Sequence, residues 1–218
     1  MTTARDTLLF PRIGLGVLEH LERQGALPAG PGELAQPGRV ILVSSTRAGE
    51  GKSFVAQGLA TALAELQEGD VIWVDAAFDR PPADDDISRR GAAGLSEIMT
   101  LGSLQGLAPA DVGLNRLWRL GRGVLAQPAL LHRPDAVSKA LTALRAGFAL
   151  VVIDAPSLDA CGELLARADA CVLVVDSRRT SRREARQALA DSRLGAARLA
   201  GLVLNHRPRP VPRWLGGD

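Results

Sequence analysis

The residues best suited to chemistry in this sequence are Lys52 and Ser53, which follow two glycines in a short turn. Gly49 and Gly51 carry no Cβ, so consecutive backbone N–H groups of the turn can approach and surround phosphate oxygens. The Lys52 ammonium would then reach the β- and γ-phosphates of a nucleotide, and the Ser53 hydroxyl would bind Mg²⁺. This spacing predicts a site for a phosphorylated ligand and a divalent cation.

The flanking segments put this turn between a strand and a helix. An apolar run at residues 40–43 precedes the turn, and apolar side chains recur at helical spacing across residues 55–66. Strand, glycine-containing loop and helix in this order form the phosphate loop of nucleotide-binding proteins. The predicted nucleotide-binding positions are Thr46, Arg47, Ala48, Gly49, Glu50, Gly51, Lys52, Ser53 and Phe54.

Thr46 departs from the pattern G-x-x-x-x-G-K-S/T, which has a glycine at its position. A chance Gly-Lys-Ser sequence in a surface turn is therefore the alternative interpretation of the motif. Lysine usage argues against that alternative, because only Lys52 and Lys139 among the 26 basic residues are lysines. A chain that otherwise uses arginine keeps lysine where a compact charge suits a phosphate.

The composition predicts a single cytoplasmic domain without a strong overall electrostatic field. The chain has 218 residues, of which 46% are apolar, and its net charge of +2 gives no argument for a nucleic acid partner. It shows neither a signal peptide nor an apolar run of about 18 residues. Cys161 and Cys171 lack metal or redox spacing, so we expect small buried hydrophobic residues.

Further apolar runs predict strands that are covered on both faces, because their apolar residues are continuous rather than alternating. These runs lie at residues 71–75, 148–154, 170–176 and 200–205. Helical patterns separate the runs, and the pair Ser181 and Glu184 is a capping-box signature for a helix through Leu194.

This alternation predicts an α/β fold of the three-layer P-loop NTPase kind, with a mostly parallel central sheet and helices on both faces. The predicted domain spans residues 37–206. We expect an N-terminal helix and loop at residues 1–36 and a basic flexible tail at residues 207–218.

Two aspartates directly follow predicted strands. Asp75 ends the run at 71–75 and Asp154 ends the run at 148–154, and the carboxyl ends of parallel strands meet at one rim of a sheet. Aspartate is rarely buried without a partner, and a Mg²⁺ ion held by Ser53 and phosphates would provide one. Asp154 would order water ligands of the metal, and Asp75 would orient such waters or accept a proton. Asp75 could instead cap the turn that follows its strand.

Several segments, taken together in this order, resemble one protein family: SSTRAGEGKS, VIWVDAAFDRP, GLSEIM, FALVVIDAPSLD, ADACVLVVDSRRT and GLVLN. They are similar to the cytoplasmic domain of the bacterial tyrosine kinases (BY-kinases) of capsule and exopolysaccharide production, relatives of the MinD and ParA ATPases. The resemblance covers most of the chain. It implies that Lys52 and Ser53 are the Walker A residues, Asp75 the first aspartate of Walker A′ and Asp154 the Walker B aspartate.

The resemblance also implies roles for two residues outside these motifs. Asn205 sits where related ATPases use an asparagine at the adenine edge, and a strand-end turn residue is the alternative. Arg47 falls where MinD and ParA relatives carry a lysine that reaches the partner's phosphates across a dimer, and a solvated loop arginine is the alternative. The implied catalytic residues are thus Lys52, Asp75, Asp154 and Arg47, and the implied metal-binding residues are Ser53, Asp75 and Asp154.

The sequence departs from the family pattern at several positions, and these departures limit which family properties the resemblance implies for this chain. Ala77 replaces the second Walker A′ aspartate, and Asp79 replaces the first arginine of the next pair, which leaves Arg80. The Asp84–Asp86 run could replace the missing carboxylate. Family members carry a tyrosine-rich C-terminal tail, whereas this chain contains no tyrosine and so cannot phosphorylate itself on tyrosine. The Glu/Arg pattern that forms rings in such kinases is not recognisable around residues 19–23, so we do not expect a closed octamer.

The expected function is that of an ATP-binding P-loop ATPase that regulates exopolysaccharide or capsule synthesis and export. The resemblance implies ATP and Mg²⁺ as cofactors and a membrane-embedded polysaccharide chain-length (co-polymerase) protein as partner at the inner face of the cell membrane. A homodimer is a further expected assembly. Three alternatives stay open: a tyrosine kinase acting on another protein, a MinD/ParA-type dimerising positioning switch, and a pseudo-kinase interaction module.

Overall fold

The computed structural model describes residues 6–25, 37–79, 93–105, 109–113, 116–192, 194–195 and 198–206. Three features of the sequence lie outside the described residues: Arg80, the Asp84–Asp86 run and the tail at 207–218.

The centre of the fold is a sheet of seven strands: β1 (Arg39–Ser45), β2 (Val71–Asp75), β3 (Ala110–Asp111), β4 (Leu117–Leu120), β5 (Leu150–Ser157), β6 (Ala170–Asp176) and β7 (Leu199–Asn205). The strand order is β3-β4-β2-β5-β1-β6-β7. All neighbouring strands are parallel except β3, which runs antiparallel to β4 at one margin. The predicted mostly parallel α/β sheet is confirmed.

Helices connect the strands and cover the sheet. They are α1 (Asp6–Arg23), α2 (Lys52–Leu66), α3 (Leu95–Leu101), α4 (Pro134–Gly147), α5 (Glu163–Arg167) and α6 (Arg182–Asp191), with short 3₁₀ helices at Pro128–His132 and Leu158–Ala160. Among the described residues, no helix combines the length and the apolar character needed to cross a bilayer.

Alternate residues of each central strand pack into two separate apolar clusters. Val40 and Leu42 of β1 belong to the cluster under α3, α4 and α5, whereas Ile41 and Val43 belong to the cluster under α1 and α2. Every residue of β5 and β6 is buried. Burial on both faces explains why these strands are continuously apolar in sequence, and it produces three layers.

The predicted capping box opens α6. The Ser181 hydroxyl accepts a hydrogen bond from the Glu184 N–H at 3.2 Å, and the Glu184 carboxylate accepts one from the Ser181 N–H at 2.8 Å. The helix ends at Asp191 rather than at Leu194, because Ser192 adopts extended dihedral angles. The end predicted from apolar spacing was therefore three residues too late. Leu194 is buried, but it lies in the segment that follows the helix.

Both cysteines are buried and unbonded to each other, in agreement with the prediction of small hydrophobic residues. Burial raises the pKa of the Cys161 thiol to about 12, although a hydrogen bond with Ser44 and the charge of Lys52 oppose this rise. Burial also raises the pKa of Cys171. Thiols held in the protonated form are poor nucleophiles and poor metal ligands, in keeping with a packing role for both cysteines.

Candidate functional site

The loop between β1 and α2 has the backbone shape that its glycines predict. Gly49 and Gly51 adopt left-handed dihedral angles, with φ of 81° and 92°, a region that residues with a Cβ rarely adopt. Thr46 is not among the described residues with positive φ. The position where the pattern has a further glycine therefore does not need glycine's conformational freedom.

Lys52 is the first residue of α2 and is only 4% exposed. Within the described part of the chain, its ammonium group forms no ion pair and no hydrogen bond with a side chain. A buried ammonium group is costly without a counter-charge, and a helix N-terminus adds positive potential at the same place. The local electrostatics therefore favour an anion here. Ser53, the next residue, is half-buried.

Asp75 and Asp154 lie side by side at the ends of β2 and β5, where they are partners in the strand register. Asp154 is also level with Val43 of β1, the strand that leads into the phosphate loop. Both aspartates are buried. The structure thus brings the two predicted carboxylates and the loop to one rim of the sheet, as expected for carboxyl ends of parallel strands. Their roles stay predictions.

Asp75 forms a buried ion pair that the sequence reasoning missed. Its Oδ2 atom accepts hydrogen bonds from Arg122 Nη2 at 2.7 Å and from Arg122 Nε at 3.2 Å. Its Oδ1 atom accepts one from the Ala77 N–H at 3.0 Å. Arg122 lies two residues after the end of β4, and that position at the same rim was the signal that could have identified it.

The residues after Asp75 differ from the family pattern in the structure as well. Ala77 is fully buried, so its methyl group occupies space at the rim where the pattern has a carboxylate. Asp79 is exposed. Among the described residues, Asp75 and Asp154 are therefore the carboxylates that the ends of β2 and β5 contribute to this rim.

Glu50 is fully buried inside the phosphate loop, and its carboxylate organises the loop. One oxygen accepts a hydrogen bond from the Arg47 N–H at 2.9 Å. The other accepts bonds from the Thr180 hydroxyl at 2.5 Å and from the Asp176 N–H at 3.2 Å. Because Asp176 ends β6, Glu50 ties the loop to that strand. The sequence predicts Glu50 only as a loop position, and it does not predict this use of the Glu50 side chain.

Asn205 lies against the same loop at the end of β7. Its amide Nδ2 donates a hydrogen bond to the Glu50 carbonyl at 2.9 Å, and its Oδ1 accepts one from the His206 N–H. Nearby, Asp176 accepts a bond from the Arg178 N–H and pairs with the His206 ring, and these contacts lower the pKa of Asp176. Asn205 thus supports the loop backbone, and its contact with an adenine edge stays a prediction.

Arg47 projects from the loop toward α6. Its side chain is 52% exposed and its Nη2 atom contacts the Glu184 carboxylate at 2.5 Å. This contact and the capping hydrogen bonds from Ser181 lower the pKa of Glu184, with the Ser181 bonds contributing most. Arg47 therefore has a partner within its own chain, and a role across a dimer would require this exposed pair to open.

Two other predicted loop positions, Ala48 and Phe54, have exposed side chains. Phe54 is 60% exposed, and its ring packs edge-on against Phe10 of α1 with 5.4 Å between centroids. The Phe54 side chain therefore supports α1, and only its backbone remains for the predicted phosphate contact.

An open cavity of about 750 Å³ adjoins the loop. Thr46 and Arg47 form one wall, and Leu158, Leu165 and Ala188 provide apolar surface on the others. The Thr46 hydroxyl oxygen is enclosed and has no hydrogen-bond partner in the described part of the chain. The cavity gives a second molecule space beside the phosphate loop, although Lys52, Asp75 and Asp154 do not line it.

The donor set fits a nucleotide-bound magnesium ion better than a metal held by protein alone. The described residues contain no cluster of three or more histidine, cysteine, aspartate or glutamate side chains that could hold a metal. Magnesium commonly keeps several waters and is bound through one or two carboxylates and substrate phosphates. Ser53 and Asp154 match that requirement, and the left-handed Gly49 and Gly51 have no Cβ that would block phosphate from the loop.

Comparison with known proteins supports the same architecture. No protein-family profile matches the chain, and no curated protein is similar to it in sequence. Solved structures do resemble it. The VpsO kinase domain is 20% identical, with a TM-score of 0.66 over 95% of this chain and 100% of that one. The kinase domain of the Escherichia coli tyrosine kinase ETK is 20% identical, with a TM-score of 0.62 over 79% of this chain and 70% of that one.

A protein with a bound nucleotide is also among the similar structures. The septum site-determining protein MinD from Pyrococcus horikoshii, complexed with Mg-ADP, is 17% identical, with a TM-score of 0.52 over 77% of this chain and 70% of that one. At such identities the likeness establishes the fold. The expected similarity in fold to bacterial tyrosine kinase domains and to the MinD and ParA proteins is confirmed.

Proposed function

We propose that this chain is an ATP-binding P-loop ATPase of the bacterial tyrosine kinase family that regulates exopolysaccharide or capsule synthesis and export. One observation carries the nucleotide part of this proposal. Lys52 is buried at the N-terminus of α2, without an ion-pair partner among the described residues, beside a rim that contains Asp75 and Asp154. A polyphosphate would satisfy the ammonium group, and a cation bound to it would lie beside the carboxylates of the rim.

The chain's own residues would divide the work at this site. Backbone N–H groups of the loop and Lys52 would bind the phosphates, and the Ser53 hydroxyl would ligate Mg²⁺. Asp154 would position water near the metal, and Asp75 is the second acidic group at the rim. ATP would supply an activated phosphoryl group. Because Ala77 removes one carboxylate, we expect binding to be retained and phosphoryl transfer to be slow.

Substitution of Lys52 by methionine tests the nucleotide site. Lys52→Met keeps the length of the side chain and removes the charge, so we expect ATP affinity measured by calorimetry to fall by roughly 100-fold, or about 2.7 kcal/mol. Lys139→Met is the matched control, because Lys139 is the other lysine of the chain and lies exposed on α4. Equal ATP affinities of the two variants would refute the assignment of the site.

The regulatory part of the proposal rests on the resemblance to the kinase family. The chain would act beside a membrane-embedded chain-length protein, and it cannot transfer phosphate to a tyrosine of its own because it has none. Incubation with labelled ATP and that membrane protein would test the nearest alternative. Label on a tyrosine of the partner would identify a kinase, whereas release of phosphate without protein labelling would support the ATPase.

A second candidate function is an ATP-dependent dimerising switch of the MinD/ParA type. The observation in its favour is the half-exposed Arg47, which projects from the phosphate loop. Sedimentation of the protein with ATP and Mg²⁺ would reveal a dimer, and Arg47→Ala would then abolish it without loss of ATP binding. A protein that stays monomeric with bound ATP would exclude this function.

A further inference from the structure

The buried ion pair between Asp75 and Arg122 has a consequence for cation binding at the rim. The two side chains are 9% and 5% exposed, and the shortest distance between them is 2.7 Å. The guanidinium donates through Nε and Nη2 to the same carboxylate oxygen, while the Ala77 N–H occupies the other oxygen. The carboxylate predicted to serve a metal is thus already neutralised by a protein cation.

Arg122 approaches Asp75 from a backbone that is held in place. The carbonyls of Gly121 and Arg122 accept hydrogen bonds from the first N–H groups of α3, those of Leu95 and Ser96, both at 2.9 Å. Gly123 has a φ of 88°, and a Cβ there would overlap the Glu97 carboxylate. The segment therefore cannot be moved without disturbing α3, and the guanidinium is delivered to a defined position.

A buried carboxylate needs one close cation, and Arg122 already supplies one to Asp75. Removing a buried charge's partner is strongly unfavourable, so Arg122 stabilises Asp75 whenever the metal is absent. A Mg²⁺ ion near Asp75 would provide the same neutralisation, and two adjacent cations would repel each other. Because Ala77 replaces a second aspartate, no additional carboxylate at that position can share the charge.

We propose that Arg122 is a positioning residue that competes with the magnesium ion of the bound nucleotide for Asp75. This inference rests on the proposed nucleotide function. The guanidinium occupies the carboxylate in the metal-free state, and metal loading requires the pair to open. By linkage, the same competition weakens the coupling between Mg²⁺ binding and nucleotide binding. It also connects the metal site to α3, because the backbone of Gly121 and Arg122 accepts hydrogen bonds from the start of that helix.

The coupling is measured with a fluorescent ATP analogue. Its dissociation constant is determined in EDTA and in saturating Mg²⁺. The constant in EDTA divided by the constant in Mg²⁺ is the coupling ratio. We expect Arg122→Gln to raise this ratio at least tenfold, because Asp75 then repels the metal-free nucleotide and attracts the metal. Arg133→Gln removes an exposed arginine that pairs with Asp135 and is the control, with an unchanged ratio.

Asp75→Asn makes the test specific. With the carboxylate removed, Arg122→Gln should no longer change the ratio, as a double-mutant cycle requires for a direct interaction. A ratio that changes less than twofold on Arg122→Gln, or a change that persists with Asp75→Asn, would overturn the competition. A merely structural role of Arg122 would lower both affinities equally and leave the ratio constant.

Arg122→Lys covers the case in which Arg122→Gln does not fold. Lysine keeps the charge but offers a single ammonium in place of the two-point contact, so we expect the ratio to rise about threefold, and an unchanged ratio would contradict the proposal. If the unsubstituted protein bound the analogue neither in EDTA nor in Mg²⁺, the nucleotide function itself would fail. Tight binding with a ratio insensitive to Arg122 would overturn this inference alone.

Discussion

The side-chain amide of Asn205 donates a 2.9 Å hydrogen bond to the main-chain carbonyl of Glu50. This contact joins the end of β7, at the margin of the sheet, to the phosphate loop that follows the central strand β1. Glu50 in turn binds the end of β6 through the Asp176 N–H. The phosphate loop is therefore held from two neighbouring strands before any ligand arrives, which reduces the ordering cost of ligand binding.

Gly51→Ala should disrupt this arrangement. Gly51 has a φ of 92°, and a Cβ at this position would overlap the Asn205 amide nitrogen, so alanine adds both backbone strain and a clash. We expect ATP affinity measured by calorimetry to fall at least tenfold, at a cost of about 1–3 kcal/mol in unfolding free energy. The control is Gly16→Ala within α1, where a Cβ meets no atom within 4 Å. Equal ATP affinities of both variants would contradict this account.

Glu97→Gln should destabilise the protein in a pH-dependent manner. Burial opposes ionisation of Glu97, but hydrogen bonds from the Gly94 and Leu125 N–H groups and the Ser96 hydroxyl outweigh it and lower its pKa. The NH₂ group of a glutamine cannot accept hydrogen bonds, so some of these buried donors would lose their partner. We therefore expect the free energy of unfolding, measured with urea at pH 7, to fall by about 2–3 kcal/mol.

The sign of the pH effect follows from the lowered pKa of Glu97 in the folded state. The stability contributed by ionised Glu97 is fully present above the unfolded-state pKa of about 4.3. It is lost as the pH falls through the folded-state pKa. The stability difference between Glu97→Gln and the unsubstituted protein should therefore shrink below about pH 4. Glu65→Gln, on the exposed face of α2, is the control. A difference that stayed constant with pH would disprove the ionic origin.

Glu184→Gln should release Arg47 while the helix start stays intact. Glutamine can keep the capping-box hydrogen bond with the Ser181 N–H, but it removes the charge that holds the Arg47 guanidinium at 2.5 Å. If Arg47 acts across an ATP-dependent dimer, dimerisation measured by sedimentation should become stronger by up to about fivefold, the range of an exposed ion pair. Asp135→Asn removes a comparable exposed pair at the start of α4 and should have no effect. Weaker dimerisation on Glu184→Gln would contradict this role.

Gly58→Ala should displace α1 from α2. A Cβ on Gly58 would lie 2.5 Å from the ring of Phe10, which also packs edge-on against Phe54. Overpacking of this kind costs about 1–3 kcal/mol, and hydrogen exchange should increase in α1 more than in the sheet. The double variant with Phe10→Ala makes room for the methyl group, so the effect of Gly58→Ala should largely disappear in that background. A full effect in both backgrounds would show that the ring is not the obstacle.

The strands and the phosphate loop were predictable because their signals are local. The buried run before Thr46 and the glycines after it required only neighbouring residues, as did the capping pair Ser181 and Glu184. The end of α6 was missed because Leu194 continues the apolar spacing although the chain has already left the helix. Apolar spacing reports burial, and burial can continue after a helix stops.

Apolar periodicity and strand direction are encoded in adjacent residues. They were therefore sufficient to predict the fold class, the strands β1, β2, β5, β6 and β7, and the rim that Lys52, Asp75 and Asp154 share, whereas the two-residue strand β3 was not predicted. The partners of these polar groups, in contrast, became known only from the folded chain. Asp75 meets Arg122 across 47 positions of the chain, and Asn205 meets Glu50 across 155. Such pairings depend on which strand ends become neighbours in the folded sheet, and no local pattern records that.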